Sequence, residues 1–199
     1  MSNEPLRAPY QSPLRARLKE QTSLIILEAV STILRDADLS AVSIAEVARV
    51  AQVTEQTIYR HYKSRDELIG AFTKHHLDLG VGGPNIALPQ TIAEMLSWLE
   101  DRYHAWAGDR QIVTETYLSP HGRALRQPLY ALGYKNIIKM LGQEHPSLDQ
   151  ETRKHLASAM LMLMSAENFV FMHRNFGYGP EEIHASVVTA INAMLPRTI

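Results

Sequence analysis

The most informative stretch of this chain is residues 43–68, which read SIAEVARVAQVTEQTIYRHYKSRDEL. Ser43 is followed three residues later by Glu46, a spacing typical of a helix N-terminal capping box, so the sequence predicts a helix from about Ser43. Thr54 is a suitable N-cap for a second, short helix over about residues 54–61. Two short helices joined by a few residues form a helix-turn-helix, a motif that presents its second helix to a DNA major groove.

The side chains of this stretch divide into an apolar and a polar face. The residues expected in the core shared by the two helices are Val47, Ala51, Val53 and Ile58, with the small Ala48 at their close approach. The polar residues expected on the outer face of the second helix are Thr54, Gln56, Thr57 and Arg60. Gln reads adenine and Arg reads guanine in bidentate fashion, and helix N-termini bind phosphate. The outer face therefore has the chemistry of a DNA-reading surface.

Three cations, Arg60, Lys63 and Arg65, lie within six residues of this stretch. We expect them to face phosphates, although a short basic stretch by itself is usually only a solvated face. Glu55, on the same helix, would repel phosphate. Tyr62 is expected in the core and Tyr59 on the outside.

The block from Thr57 to Leu68, together with Val47-Ala48 and Val53-Thr54, resembles the DNA-binding domain of the TetR (tetracycline repressor) family. The resemblance covers about residues 18–75. It implies an all-α chain with an N-terminal three-helix helix-turn-helix domain and a C-terminal helical domain that binds a small molecule and dimerises. Gln52 departs from the family pattern, which usually has Gly there. In the left-handed conformation Gln would cost on the order of 1 kcal/mol relative to Gly.

The resemblance also implies roles for single residues. The positions that match family contacts to phosphates or sugars are Ser43, Thr54, Tyr59, His61 and Lys63. The positions that match exposed, base-reading sites are Gln56, Thr57 and Arg60. Arg65 is added to this DNA-binding set from the charge pattern alone.

The rest of the chain reads as helices separated by Gly- and Pro-rich breaks. Residues 1–17, with Pro5, Pro9, Pro13, Arg7, Arg15 and Arg17, are expected to form a flexible arm that either enters a minor groove or is only a disordered tail. We expect a DNA-binding domain over residues 18–79, with an apolar helix face that includes Leu18 and Ile25. The break from Gly80 to Pro89 predicts a boundary, followed by a ligand-binding and dimerisation domain over residues 80–199. The helices predicted there span about 90–107, 110–118, 122–143, 148–175 and 180–195, about nine in the whole chain.

The C-terminal half is rich in aromatic side chains with polar tips, which suit a mostly apolar ligand cavity. The candidate ligand-binding residues are Trp98, Tyr103, Trp106, Tyr117, Tyr130, Tyr134, Glu167, Asn168 and Phe171. The open alternative is that a helical core of this size needs such residues without any ligand. Glu167 and Asn168 are included because they lie in an apolar stretch, where a buried polar pair needs partners.

The two C-terminal helices are expected to form a homodimer interface. The predicted helix 148–175 combines Met160, Met162 and Met164 with small residues, and the last helix repeats an apolar face through Ile183, Val187, Ala190, Ile191 and Met194. Two such helices from each subunit would make a four-helix interface. A two-fold dimer reads two half-sites, so we expect a palindromic double-stranded DNA operator.

Composition excludes several other classes. The 199 residues are 45% hydrophobic and 21% charged, with a formal net charge of −1 and no cysteine. Disulfides, Cys-based metal sites and thiol nucleophiles are therefore excluded. No motif points to a metal, a cofactor or a catalytic residue, and no apolar run predicts a membrane span.

We expect a cytoplasmic, sequence-specific transcriptional regulator, a repressor released from its operator by a small-molecule effector. The alternative is a small α-helical enzyme or ligand-binding protein without DNA-binding function.

Overall fold

A computed structural model describes residues 13–80 and 88–196, and every regular element in those two ranges is helical. The N-terminal elements are α1 (Pro13–Asp36), a 3₁₀ turn (Leu39–Ala41), α2 (Ile44–Ala51), α3 (Glu55–His61) and α4 (Arg65–Gly80). The C-terminal elements are α5 (Ile92–Gly108), α6 (Arg110–Ile112), a π-helical turn (Val113–Tyr117), α7 (Pro120–Glu144), α8 (Gln150–Leu163), α9 (Ala166–Phe176) and α10 (Pro180–Met194). The prediction of an all-α fold is confirmed.

The first helix begins earlier than its apolar pattern predicted. Pro13 is its first residue, a position where the missing backbone N–H of proline costs no helical hydrogen bond. Arg15 and Arg17 are consequently helical and do not belong to a flexible arm, whereas Pro5, Pro9 and Arg7 lie outside the described residues. The buried face of α1 is formed by Ile26, Leu27, Ala29, Val30, Ile33 and Leu34. Leu18 and Ile25, which were expected on that face, are exposed.

The predicted starts of the two short helices are confirmed. The Ser43 hydroxyl accepts a hydrogen bond from the Glu46 backbone N–H at 3.1 Å and caps α2. The Thr54 hydroxyl accepts from the Thr57 N–H at 3.1 Å and caps α3. The Glu46 carboxylate accepts from Arg49 at 2.9 and 2.6 Å, so the side chain pairs along its own helix.

Two clusters of buried apolar side chains divide the described residues. The N-terminal cluster is built from α1 to α4, and the C-terminal cluster from α5 and α7 to α10. The long helix α4 contributes side chains to both clusters: Leu68 and Phe72 belong to the N-terminal cluster and Leu77 to the C-terminal one. Ile112, at the end of α6, packs into the N-terminal cluster although Val113 packs into the C-terminal one. The two halves are therefore joined by packing as well as by the chain.

The helix predicted over 148–175 is two helices. α8 ends at Leu163, Ser165 caps α9 by accepting from the Asn168 N–H, and the axes bend by 53° between them. Serine at that position competes for backbone hydrogen bonds and so favours a helix start over a helix interior. Within the described residues no single helix is long and apolar enough to cross a membrane, and only the bent pair α8–α9 passes that test on length and composition, as buried core helices also do.

The apolar face expected at a dimer interface is largely used inside the chain. Ile183, Val187 and Ile191 of α10 are buried in the C-terminal cluster, as is Met160 of α8. The spacing of these residues forms an apolar stripe along the helix. Such a stripe packs equally well against a neighbouring helix of the same chain as against a second subunit. The large apolar side chains left exposed on α8 and α9 are Met162, Phe171 and Phe176.

Candidate nucleic-acid interface and internal cavity

The turn between α2 and α3 depends on Gln52. Its backbone has φ 54° and ψ 40°, the left-handed conformation, and it is the one non-glycine residue with positive φ in the described ranges. The next N–H, that of Val53, donates to the Ala48 carbonyl at 3.0 Å and closes the end of α2. The departure from glycine at this position therefore leaves the turn geometry intact.

The short helix α3 presents one face to its own domain and the other to solvent. Ile58 is fully buried, and Tyr62, just after the helix, is buried with its hydroxyl 2.6 Å from the Ser23 hydroxyl of α1. Gln56, Tyr59 and Arg60 are exposed on the opposite side, as the sequence pattern predicted. The outer face is thus held in place by the packing of the inner face.

The polar side chains of α3 are linked to one another. The Thr54 and Thr57 hydroxyls lie 2.9 Å apart, and an Arg60 guanidinium nitrogen donates to the Thr57 hydroxyl at 3.2 Å. Because a guanidinium carries five N–H donors, this contact leaves others for a base edge. Lys63 follows the helix with an exposed side chain, while its backbone N–H donates to Glu67 at 2.8 Å.

Arg65, which the charge pattern adds to the DNA-binding set, is hydrogen-bonded to its own domain. Its guanidinium donates to the carbonyls of Val42 at 2.6 Å and Leu39 at 2.5 Å, and fastens the start of α4 to the segment before α2. Two of its nitrogens thus have partners within the domain, while the side chain stays 39% exposed. His61 is half-buried, and its pKa is lowered by that burial and by the nearby Lys19 and Arg60.

A partly open cavity of about 470 Å³ lies in the C-terminal half, lined by α4, the segment before α5, α5, α7 and the α8–α9 junction. This volume is in the range of small-molecule sites. Among its apolar wall residues are Leu77, Met95, Trp98, Trp106, Leu129, Ile137, Leu161 and Met164. The polar and charged residues on the wall are Asp78, Arg102, Arg126, Tyr130, Asn136 and Ser165. A mostly apolar wall with a few polar groups is the pattern of a small-molecule pocket.

The cavity contains part of the predicted ligand set. Trp98, Trp106 and Tyr130 line it. Tyr103 and Tyr117 are fully buried core residues away from the wall, and Tyr134 packs beside the same core. The Tyr103 hydroxyl donates to the Leu163 carbonyl at 3.2 Å, so its polar tip is satisfied by the fold. For these three tyrosines the alternative, a role in the core, describes the structure better.

Glu167, Asn168 and Phe171 also lie off the cavity wall, and the reason given for the first two was wrong. The Glu167 side chain is 43% exposed, ion-paired with Arg126, and accepts from the Tyr130 hydroxyl at 2.8 Å. The Asn168 amide donates to the Leu163 carbonyl at 2.7 Å. Both polar groups have protein partners, and Phe171 is exposed on the far side of α9.

Two arginines on the cavity wall were missed. Arg102 lies four residues from both Trp98 and Trp106 on α5, and its guanidinium sits 4.6 Å and 5.1 Å from their ring centroids. This spacing puts all three on one helix face, a signal that the sequence did contain. Burial lowers the pKa of Arg102.

Arg126, on α7, is only 4% exposed. Its guanidinium donates to the Tyr117 carbonyl and to the Glu167 carboxylate, and lies 5.5 Å from the Tyr130 ring centroid. Burial raises the pKa of Tyr130 to about 12, so its hydroxyl keeps its proton and donates to Glu167. Nothing in the spacing of the sequence distinguishes this arginine from the exposed Arg123 of the same helix.

Residues 26–72 match the family model described as bacterial regulatory proteins, tetR family. The chain is 24% identical over 149 residues to the HTH-type transcriptional repressor Rv3405c of Mycobacterium tuberculosis, covering 71% of this chain and 68% of that protein. It is 30% identical over 86 residues to the HTH-type transcriptional regulator AlkX of the same organism, covering 43% of this chain and 39% of that protein. The domain at residues 26–72 is a TetR-family DNA-binding domain. The chain is a DNA-binding transcriptional regulator and not an enzyme.

Solved structures share the fold of this TetR-family regulator. NalD of Pseudomonas aeruginosa, the secondary repressor of the MexAB-OprM multidrug efflux pump, superposes with a TM-score of 0.66 at 14% identity, covering 92% of this chain and all of that one (100%). LfrR of Mycobacterium smegmatis, solved in complex with proflavine, superposes with a TM-score of 0.54 at 20% identity, covering 89% of this chain and 99% of that one.

In this TetR-family regulator the cavity and the DNA-binding half are connected through the π-helical turn. Arg126 donates a hydrogen bond to the carbonyl of Tyr117, the last residue of that turn. The Tyr117 hydroxyl lies 3.2 Å from Nδ1 of His76 on α4, and Nε2 of His76 lies 3.3 Å from the Asp109 carboxylate. Tyr117 therefore contacts both Arg126 on the cavity wall and α4, the helix that runs into the N-terminal cluster.

Proposed function

We propose that this TetR-family regulator is a repressor whose α3 reads operator bases. A small-molecule effector that binds in the cavity would dissociate the repressor from its operator. The observation that carries the proposal is the division of α3, with Ile58 fully buried and Gln56, Tyr59 and Arg60 exposed together. A short helix anchored on one face and polar on the other suits insertion into a major groove. We place the DNA-binding domain at about residues 13–79 and the effector and dimer domain after it. Because the proposed target is DNA, we place the protein in the cytoplasm.

We assign base reading to Gln56, Thr57 and Arg60. Arg60 already donates to the Thr57 hydroxyl, and its remaining donors match the two acceptors of guanine. Gln56 has the donor and acceptor pair that matches adenine. Each such bidentate contact typically contributes about 1–3 kcal/mol of discrimination against a wrong base.

We assign phosphate or sugar contacts to Ser43, Thr54, Tyr59, His61 and Lys63. The Ser43 oxygen accepts from the Glu46 N–H, which leaves the hydroxyl proton to donate to a phosphate oxygen. Tyr59 is 51% exposed, and the Lys63 ammonium is a point charge suited to the backbone. These contacts would position α3 without carrying sequence information.

We propose a homodimer formed through α8, α9 and α10, which would bind a palindromic operator with one half-site per subunit. Exposed Met162, Phe171 and Phe176 support this surface, and Phe171 and Phe176 stack edge to face with centroids 5.8 Å apart. Phe171→Glu should convert the protein to monomers in analytical ultracentrifugation. Phe171→Leu keeps an apolar side chain and should remain dimeric. Monomeric wild-type protein, or a dimeric Phe171→Glu variant, would remove this surface from the proposal.

Release would follow from a population shift between two subunit arrangements. The effector would bind more tightly to an arrangement whose two α3 helices no longer match the half-site spacing. It can shift the equilibrium only by its difference in affinity for the two arrangements.

The proposal is tested by fluorescence anisotropy with the DNA upstream of the protein's own gene, against a scrambled DNA of equal length. We expect a sequence-specific complex whose affinity falls as salt rises, because phosphate contacts release counterions. A search of random DNA by repeated selection covers the case in which the operator lies elsewhere. Absence of any specific, salt-sensitive complex in both assays would reject DNA reading and favour a ligand-binding protein without DNA function.

Variants separate the two kinds of contact. Tyr59→Phe and Lys63→Ala should weaken binding to operator and scrambled DNA alike, and Lys63→Ala should lower the salt slope by about one. Arg60→Ala should instead reduce the ratio between operator and scrambled DNA. If all three variants gave the same sequence-independent loss, the assignment of Arg60 to base reading would be wrong.

A further inference from the structure

We propose that the ligand of the internal cavity is an organic anion, a carboxylate on an apolar body, with its acid group held by Arg126 and Arg102. Calling this ligand the effector rests on the proposed function, whereas its binding to the cavity does not.

The charges on the wall favour an anion. Arg102 and Arg126 line the cavity, and the carboxylate on the wall, Asp78, is ion-paired to Lys74 at 2.6 Å. A second carboxylate, that of Glu167, lies off the wall and pairs with Arg126. Among the described residues, the wall therefore carries two guanidinium groups against one carboxylate, and that carboxylate already has a cationic partner. An anionic ligand would lower the mutual repulsion of the two guanidinium groups.

Arg126 is the more informative of the two. It is 4% exposed, and although two of its nitrogens donate to Tyr117 and Glu167, its buried Nε has no hydrogen-bond partner among the described residues. An unsatisfied buried donor is unfavourable, more so on a charged group. A ligand carboxylate is a planar acceptor pair that matches the guanidinium fork. Arg126 therefore brings a buried positive charge to the cavity wall, with one donor that the described residues do not use.

The aromatic residues disfavour an organic cation. Tryptophan faces often bind cations, but here the guanidinium of Arg102 already lies against both Trp98 and Trp106. A cationic ligand would have to displace a like charge to reach them. The rest of the wall, including Met95, Leu129 and Leu161, is apolar and suits a hydrocarbon body.

The chain supplies its own reporter for the test. It contains two tryptophans, Trp98 and Trp106, and both line the cavity, so a ligand there should change intrinsic tryptophan emission. The probes are decanoate and 4-cyclohexylbutyrate, compared with the alcohols and primary amines of the same carbon skeletons at neutral pH. We expect saturable emission changes with both acids, at affinities about tenfold or more above those of the alcohols and amines, as for one charge-assisted pair. Binding of an alcohol or amine as tight as that of its acid, or no saturable binding of either acid, would overturn the proposal.

Variants locate the acid group. Arg126→Gln and Arg102→Gln should each weaken decanoate about tenfold while leaving 1-decanol unchanged. Arg123→Gln removes the same charge from the same helix, but Arg123 is exposed and off the wall, so this control should bind decanoate like the wild type. Far-UV circular dichroism checks folding, and the Arg102 variant carries the test if Arg126→Gln unfolds. Wild-type affinity in both folded variants, or in the single one that folds, would overturn the assignment.

The two proposals fail separately. Fluorescence titration involves no DNA, so acid binding without a specific operator complex would reject repression and keep the ligand class. Specific DNA binding without acid binding would reject the ligand class alone. If both hold, decanoate should release the operator over the concentration range of the fluorescence titration, and Arg126→Gln should require about tenfold more.

Discussion

The carboxylate of Glu115 accepts a hydrogen bond from the backbone N–H of Leu39 at 3.1 Å, and so joins the π-helical turn to the 3₁₀ turn before α2. The carbonyl of the same Leu39 accepts from Arg65 at the start of α4. Ile112, three residues before Glu115, packs in the N-terminal cluster, while Tyr117, two residues after it, packs in the C-terminal one. This short segment therefore contacts both halves, and Arg126 connects it to the cavity wall.

Glu115→Ala should lower the free energy of unfolding by about 1–2 kcal/mol, because the Leu39 N–H loses its acceptor. Amide exchange at Leu39 should accelerate in hydrogen-exchange measurements. Glu115→Gln keeps an acceptor and should have a smaller effect. Glu100→Ala removes an exposed carboxylate from α5 and serves as the control. Equal effects of the two alanine variants would show that the Glu115 hydrogen bond contributes nothing specific.

Gln52→Gly should stabilise the protein by up to about 1 kcal/mol, because glycine adopts the left-handed conformation without steric cost. The melting temperature should rise, with DNA binding unchanged. Gln52→Ala keeps the steric cost of a Cβ atom and should not stabilise. A melting temperature that falls in Gln52→Gly would mean that the side chain stabilises the turn more than its backbone strain destabilises it.

Arg65→Ala should be destabilising and Arg60→Ala should not. Arg65 donates to two carbonyls from a half-exposed position, and its loss should cost about 1–2 kcal/mol after allowance for solvent. The exposed Arg60 should change stability by less than about 0.5 kcal/mol and alter DNA discrimination instead. Thermal unfolding and anisotropy on both variants test this reversal. Similar melting temperatures would indicate that Arg65 is free to contact DNA after all.

Stability should fall as pH drops below the ordinary His pKa of 6.5, in part because of His76. Burial lowers the pKa of His76, and Asp109 opposes this shift only partly, with His75 and Arg35 adding to the lowering. The unfolded chain then binds a proton before the folded chain does, so stability is complete above pH 6.5 and is lost as pH falls toward the folded pKa.

Urea unfolding of wild type and His76→Gln across this range gives the measurement. The variant should show a shallower decline, with a remainder from His61, whose pKa is also lowered. Parallel curves for the two proteins would show that His76 does not titrate differently on folding.

Features set by neighbours within a few residues were predictable. The caps at Ser43 and Thr54 and the left-handed Gln52 involve contacts that span at most five residues. The apolar spacing that buries Ile58 and Tyr62 is equally local. The break at Ser165 was missed because the apolar pattern continues across it, although serine there is itself a local helix-start signal.

The sequence by itself determined the all-α class, the helix-turn-helix and the polar outer face of α3, because short-range hydrogen bonds and helical periodicity are written in consecutive residues. Only the tertiary structure decided which arginines serve which purpose. The Arg65 guanidinium donates hydrogen bonds to carbonyls 23 and 26 residues away. The Arg126 guanidinium donates to a carboxylate 41 residues away. A long, flexible cation finds its partner through the fold, so its position in the chain does not identify that partner.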